Sequence, residues 1–110
     1  MKAFSLKHPS FQERVYEILK KVPKGRVSTY SNVARALNTK AYRAVGNALN
    51  KNPRPGTRKN QVPCHRVVKS SGEVGGFATG KENKIKLLKK EGIKIEKEKI
   101  DLKKYKFDLN

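Results

Sequence analysis

Residues 29–49 read Thr29-Tyr30-Ser31-Asn32-Val33-Ala34-Arg35-Ala36-Leu37-Asn38-Thr39-Lys40-Ala41-Tyr42-Arg43-Ala44-Val45-Gly46-Asn47-Ala48-Leu49, two apolar helical repeats separated by a polar break. Val33, Ala34 and Leu37 mark a short helix that begins near Thr29, and Asn38-Thr39 interrupts it. Ala41, Ala44, Val45, Ala48 and Leu49 then resume the helical period. Two short helices joined by a tight turn make a helix-turn-helix. Ala41, Ala44, Gly46 and Ala48 give the second helix a thin surface that suits close approach to a groove. Taken alone, the pair fits equally well a small helix packed on its neighbours.

Upstream, Ser10 and Glu13 have capping-box spacing after Pro9, so a helix is expected to start there. Phe11, Val15, Ile18, Leu19 and Val22 form its apolar stripe, and Pro23 with Gly25 ends it. Downstream, residues 52–63 hold three prolines, a glycine, Arg54, Arg58 and Lys59, the composition of an exposed basic loop. Residues 62–68 read as a short extended or turn segment closed by Ser70-Ser71-Gly72. Gly75-Gly76-Phe77-Ala78-Thr79-Gly80 is glycine-rich but lacks the Lys-Ser/Thr ending of a nucleotide-binding P-loop. A last core helix is expected over 81–91, with Gly92 as its stop. Residues 93–110 read as a basic C-terminal extension, an edge strand followed by a frayed tail.

One hundred and ten residues and 35% hydrophobic content support one small hydrophobic core, which excludes a multidomain enzyme. Twenty-seven basic against nine acidic side chains give +18, a self-repulsion most easily tolerated beside a polyanion. Residues 1–91 hold 21 basic and 5 acidic residues, so the charge belongs to the folded part and nucleic acid is the leading partner. A single cysteine makes no intramolecular disulfide, and with two histidines it is a poor zinc set, so neither a structural metal nor an oxidising compartment is expected. No stretch has the apolar length of a signal or membrane segment. The expectation is a soluble, cytoplasmic, nucleoid-associated monomer without membrane contact.

Pro63-Cys64-His65-Arg66-Val67 carries the chemistry. A thiol attacks only as thiolate, and His65 and Arg66 supply a base and a positive charge next to it in sequence. Standing alone, a single cysteine is more often a small buried hydrophobe. The motifs together weigh differently. Residues 26–30 (Arg-Val-Ser-Thr-Tyr), 43–46 (Arg-Ala-Val-Gly), Asn52-Pro53, residues 63–68 (Pro-Cys-His-Arg-Val-Val), Gly75-Gly76-Phe77 and Glu91-Gly92 follow in order and nearly in register. Over residues 9–92 they resemble the C-terminal domain of O6-alkylguanine-DNA alkyltransferases, the methylated-DNA–protein-cysteine methyltransferases.

That resemblance implies a mostly helical α/β fold, a small single domain over residues 1–92 with a helix-turn-helix and a short β element. It implies a repair protein that binds duplex DNA containing O6-alkylguanine, flips the base and moves the alkyl group to its own cysteine in one turnover, with no cofactor. Cys64 looks like the alkyl acceptor, His65 like the base acting through a water, and Glu91 like the carboxylate that orients it. Asn52 resembles the hinge asparagine, and Tyr30 the phenol that bonds the flipped guanine. Arg43 resembles the arginine that fills the vacated stack, with Thr29, Tyr30, Ala44 and Gly46 as further DNA contacts. Pro55, Val67, Phe77 and Ala78 are the expected pocket walls, backbone groups of Cys64, Val67 and Ala78 meeting the base edge.

Three features depart from the family pattern. About eight residues precede the first helix, which implies a form without the N-terminal domain many members carry. The segment between Asn52-Pro53 and Pro63-Cys64 is longer than usual, with residues 56–60 as the insert. Phe77 stands where tyrosine is common. The runner-up is an alkyltransferase-like protein, which binds alkylated DNA without transfer. Those proteins typically replace the cysteine by tryptophan, whereas this chain keeps Cys64 and has no Trp. A helix-turn-helix transcription factor would leave residues 63–68 and 75–80 unexplained.

Overall fold

The computed structural model describes residues 10–52, 61–77 and 80–109. Helix α1 spans Phe11–Leu19 and opens with the expected capping box, in which the Ser10 hydroxyl accepts the Glu13 amide and the Glu13 carboxylate accepts the Ser10 amide. A two-residue strand β1, Ser28–Thr29, leads directly into α2, Tyr30–Ala36. Asn38 then takes a left-handed φ of 59°, which lets the chain turn sharply into α3, Tyr42–Asn50. The break expected at Asn38-Thr39 is this turn, and α2–turn–α3 is the helix-turn-helix.

One 3-10 turn, Cys64–Arg66, runs into strand β2, Val67–Val68. Strand β2 pairs parallel with β1, Ser28 opposite Val67 and Thr29 opposite Val68. Helix α4 covers Lys81–Lys90, its Glu91 cap followed by Gly92 at φ 94°, and the four-residue α5 covers Leu102–Tyr105. Among the described residues the fold is five helices and a two-stranded sheet, mostly helical with a short β element.

Two apolar clusters flank that sheet. The larger joins Val15 and Leu19 of α1, Val33 and Ala34 of α2, and Val45, Ala48 and Leu49 of α3 to Val62, Cys64 and Val67. The Tyr16 hydroxyl donates to Ala48 O at 2.8 Å, fixing α1 against α3 at the point where the small Ala48 side chain admits a ring. On the far side, Val27, Val68, Val74, Leu88, Ile93 and Ile100 form the second cluster. Burial of whole Val, Leu and Ile side chains here contributes about 1.5–3 kcal/mol each.

Residues 93–109 differ from the edge strand and frayed tail read from their charge pattern. Ile93 and Ile100 are buried in the second cluster, and the tail then comes beside β1. Val27 donates to Tyr105 O and accepts from the Phe107 amide, while the Arg26 guanidinium donates to Tyr105 O and Lys106 O. Gly72 makes the return possible: at φ 94° a Cβ there would lie 2.7 Å from Ile100 O, where no side chain fits. Ile95, Leu102 and Tyr105 pack against the same second cluster, so the segment docks through several apolar residues in a lysine-rich background.

Candidate active site around Cys64

The larger cluster ends at Cys64, and the turn that holds it is short for a reason. Pro63 at φ −80° precedes the 3-10 residues, and the Arg66 amide closes the turn on Pro63 O at 3.0 Å. Cys64 is 5% exposed. Burial pushes its thiol up, while a side-chain hydrogen bond with Asn52, the positive charge of Lys84 and its own backbone environment pull the other way. The resting group is therefore a thiol whose ionisation must be assisted. Asn52 also donates from Nδ2 to Val62 O at 3.0 Å, joining the end of α3 to the strand-like residues just before the cysteine.

His65 is buried beside it, and burial lowers its proton affinity more than Glu91 raises it, so the imidazole is neutral and free to accept a proton. Its Nε2 lies 3.2 Å from Glu91 Oε1, a close approach that is not aligned as a hydrogen bond. The Glu91 carboxylate is instead gripped by Arg66, whose Nε and Nη2 donate to the two carboxylate oxygens while Nη1 donates to Val22 O. Burial pushes Glu91 up, but the Arg66 hydrogen bonds and the neighbouring His65 outweigh it and hold the carboxyl below its usual range. The sequence places three residues of this network in one tripeptide. Only the fold brings the fourth, 25 positions further on, to meet them.

Tyr30 sits half-buried at the first position of α2. Burial and the proximity of Cys64 raise its pKa, so it stays a phenol and a hydrogen-bond donor. A cavity of about 410 Å³ opens next to it, lined by Tyr30, Ser31, Tyr42, Lys69 and Ser70. Val67 is buried and Phe77 half-buried against the larger cluster. Ala78 and Pro55, and the insert over residues 56–60, lie outside the described residues.

On α3, Arg43 is exposed and Ala44 and Gly46 are half-exposed. Thr29 is different. Expected as a DNA contact, it is buried and its hydroxyl caps α2 by accepting the Asn32 amide at 3.1 Å.

Lys84 is a site residue the motifs did not flag. It is 1% exposed, and its Nζ donates to Val67 O at 2.7 Å and to Gly76 O at 3.2 Å, directly behind the turn. The available signal was its place on α4 one turn before the buried Leu88, a lysine on an apolar face. Among the described residues no group of three His, Cys, Asp or Glu side chains is arranged to hold a metal ion, and no helix is long and apolar enough to cross a membrane.

This fold and this motif order match a known family. Residues 10–93 fit the model of the 6-O-methylguanine DNA methyltransferase DNA-binding domain. The chain belongs to that family. A methylated-DNA–protein-cysteine methyltransferase of Archaeoglobus fulgidus is 43% identical over 96 residues, 82% of this chain and 61% of that protein. The crystal structure of the O6-methylguanine-DNA methyltransferase from Pyrococcus kodakaraensis KOD1 superposes with a TM-score of 0.68 at 46% identity, over 78% of this chain and 48% of that one. Schizosaccharomyces pombe Atl1, solved with damaged DNA containing O6-carboxymethylguanine, gives 0.75 at 28% identity, over 89% of this chain and 94% of Atl1. The chain thus spans between 45% and 61% of the length of these curated methyltransferase relatives.

Proposed function

We propose that this protein repairs DNA by moving the alkyl group of O6-alkylguanine in duplex DNA onto Cys64, once per molecule. The observation that carries this is a buried Cys64 in a 3-10 turn whose next residue, His65, lies buried 3.2 Å from the Glu91 carboxylate, with the half-buried Tyr30 packed against the same apolar cluster. The thiol proton passes to His65 through a water, the sulfur–carbon bond forms as the carbon–O6 bond breaks, and guanine leaves as an anion that accepts a hydrogen bond from the Tyr30 hydroxyl and then takes up the proton relayed back from His65. Asn52 steadies the turn and the sulfur. Glu91 keeps His65 in place, and Arg66 keeps Glu91 ionised.

The family match supports DNA as the partner, as does the charge of +18. Arg43, exposed near the start of α3, is the residue we place in the base stack when guanine is extruded. The thioether product is stable and is not displaced by water or thiols, so turnover stops after one event.

A second reading, recognition of alkylated bases without transfer, is favoured by the near-complete overlap with Atl1. Cys64 speaks against it, because a non-transferring site has no use for an assisted nucleophile. Incubation with a duplex carrying one O6-methylguanine, followed by peptide mass spectrometry, decides between them. Transfer predicts one methyl group on the Cys64 peptide, at no more than one per protein. An unmodified peptide from protein bound to that duplex would leave recognition alone.

A further inference from the structure

Asn32 lies on the first turn of α2, 3% exposed, and its side chain is bonded at both ends. Its Oδ1 accepts from the Ser28 hydroxyl at 3.0 Å and from the Leu109 amide at 2.9 Å, while its Nδ2 donates to Asp108 Oδ1 at 3.3 Å. A buried amide needs such partners. Two of the three come from the end of the chain, 76 and 77 positions away. The same segment grips the chain ahead of Tyr30, where Val27 donates to Tyr105 O at 2.9 Å and accepts from the Phe107 amide at 2.7 Å. Tyr105 packs on the second apolar cluster and Leu109 on the first, so residues 105–109 run from one cluster to the other. Tyr30 thus stands between two points, Val27 and Asn32, that are both held by this segment.

We propose that Asn32 is a positioning residue for Tyr30, tied through residues 105–109 so that the phenol keeps its place in the Cys64 site. The inference rests on the reading of Tyr30 as the donor to departing guanine. A hydrogen-bond donor in a reacting site has to be held within about 0.5 Å of its working position. The elements that carry Tyr30 are too short to do this by themselves: β1 has two residues, and α2, which Tyr30 opens, has seven. Thr29 already caps α2 by accepting the Asn32 amide, so the Asn32 side chain is not needed as a cap. Its bonds instead join α2 to β1 and to residues 108 and 109, which lie beyond the family match. Fold stability alone would be served by the apolar packing of Ile100, Tyr105 and Leu109. Polar ties on both sides of one site residue serve that residue.

The test compares two reactions of the same sulfur. Single-turnover methyl transfer from a duplex carrying O6-methylguanine expels guanine, whereas alkylation of Cys64 by iodoacetamide expels iodide and needs no phenol. Asn32→Asp keeps the acceptor for Ser28 and Leu109 but sets a second carboxylate against Asp108, and adding Asp108→Asn restores a donor–acceptor pair with the roles exchanged. Asn32→Asp should slow methyl transfer about tenfold with iodoacetamide labelling within about twofold of the wild type, and the double variant should recover most of the loss. In the background of Tyr30→Phe, Asn32→Asp should slow transfer no further, since the donor it positions is gone. A role in general stability would slow transfer equally with and without the phenol. That equal loss would overturn the proposal, as would wild-type transfer by folded Asn32→Asp. Should Asn32→Asp not fold, the exposed Asp108→Ala carries the same comparison, with an expected loss of about threefold that vanishes in Tyr30→Phe. A wild type that never accepts a methyl group would sink the transfer reading and this inference with it; variants that transfer like the wild type would sink the inference alone.

Discussion

The guanidinium of Arg66 holds Glu91 through both carboxylate oxygens, and the same carboxylate stands 3.2 Å from His65 Nε2. Adjacent residues thus share one distant partner. Arg66 takes the strong, directional contact, which leaves Glu91 to act on His65 mainly through charge and position. With both ion-pair side chains only 8% exposed, the arrangement is insulated from salt and solvent.

Arg66→Met removes the cation and leaves a buried carboxylate. Breaking a buried pair from one side typically costs about 3–5 kcal/mol. Urea unfolding at pH 7 should show a loss of that order. Because Arg66 also lowers the proton affinity of His65, the imidazole should titrate at higher pH in the variant, which NMR of the ring protons checks. An unmoved His65 would mean the two residues do not share Glu91 in solution.

Acid should destabilise the protein in two stages. His65 is held below its ordinary value in the fold, so from about pH 6.5 downward the unfolded chain takes up a proton that the folded one refuses, and stability falls. Glu91 is also held low, so its contribution is full above the unfolded carboxyl range and is lost as pH drops through the folded value. Stability curves from pH 8 to pH 3 should bend at both places. His65→Gln should remove the upper bend and keep the lower one.

Alkali should act oppositely over a narrow window. Lys84 loses its proton near pH 8 when folded but keeps it to the ordinary lysine range when unfolded, so its contribution makes the fold more stable as pH rises past 8. Burial holds Cys64 above its ordinary value, so the buried thiol works against this once the unfolded thiol ionises. Denaturation midpoints in Cys64→Ser should therefore continue to rise beyond the pH at which the wild type levels off. Identical curves for the two proteins would be the contrary result.

Ile100 lies seven residues beyond the family match, yet it is buried in the second cluster. Ile100→Ala should cost about 2–5 kcal/mol, the range for a large-to-small change in a packed core. A change within about 0.5 kcal/mol, the surface range, would return residues 93–109 to the frayed tail their charge suggests.

Arg43→Ala should slow repair of O6-methylguanine in duplex DNA far more than transfer from the free alkylated base, since only the duplex has a stack to fill. Lys51→Ala, another exposed charge near the end of α3, should show no such contrast. Equal losses on both substrates for Arg43→Ala would mean that Arg43 shapes the pocket or the fold and takes no part in flipping.

The sequence by itself determined the helices, the turn between them and the reactive motif, because those depend on neighbours. Ser10 and Glu13 cap a helix from three residues apart, Asn38 accepts a left-handed φ, and Pro63 sets up the turn that follows. Cys64, His65 and Asn52 stand out through the order of short motifs. What only the tertiary structure decided is where charges and polar groups lie once distant segments meet. Lys84 reads as one lysine among many until the backbone carbonyls of Val67 and Gly76 close around it. Thr29 is found buried with its hydroxyl accepting the Asn32 amide, and Arg66, read as a positive charge beside the thiol, is found gripping Glu91 from the end of α4. Residues 93–109 look like a solvated tail because lysines outnumber isoleucines, yet docking depends on Ile93 and Ile100 finding a cavity wall and on Gly72 leaving room for Ile100 O. Periodicity and capping are written over a few residues; burial is a property of the whole chain, and the cost or benefit of a buried charge appears only when every partner is in place.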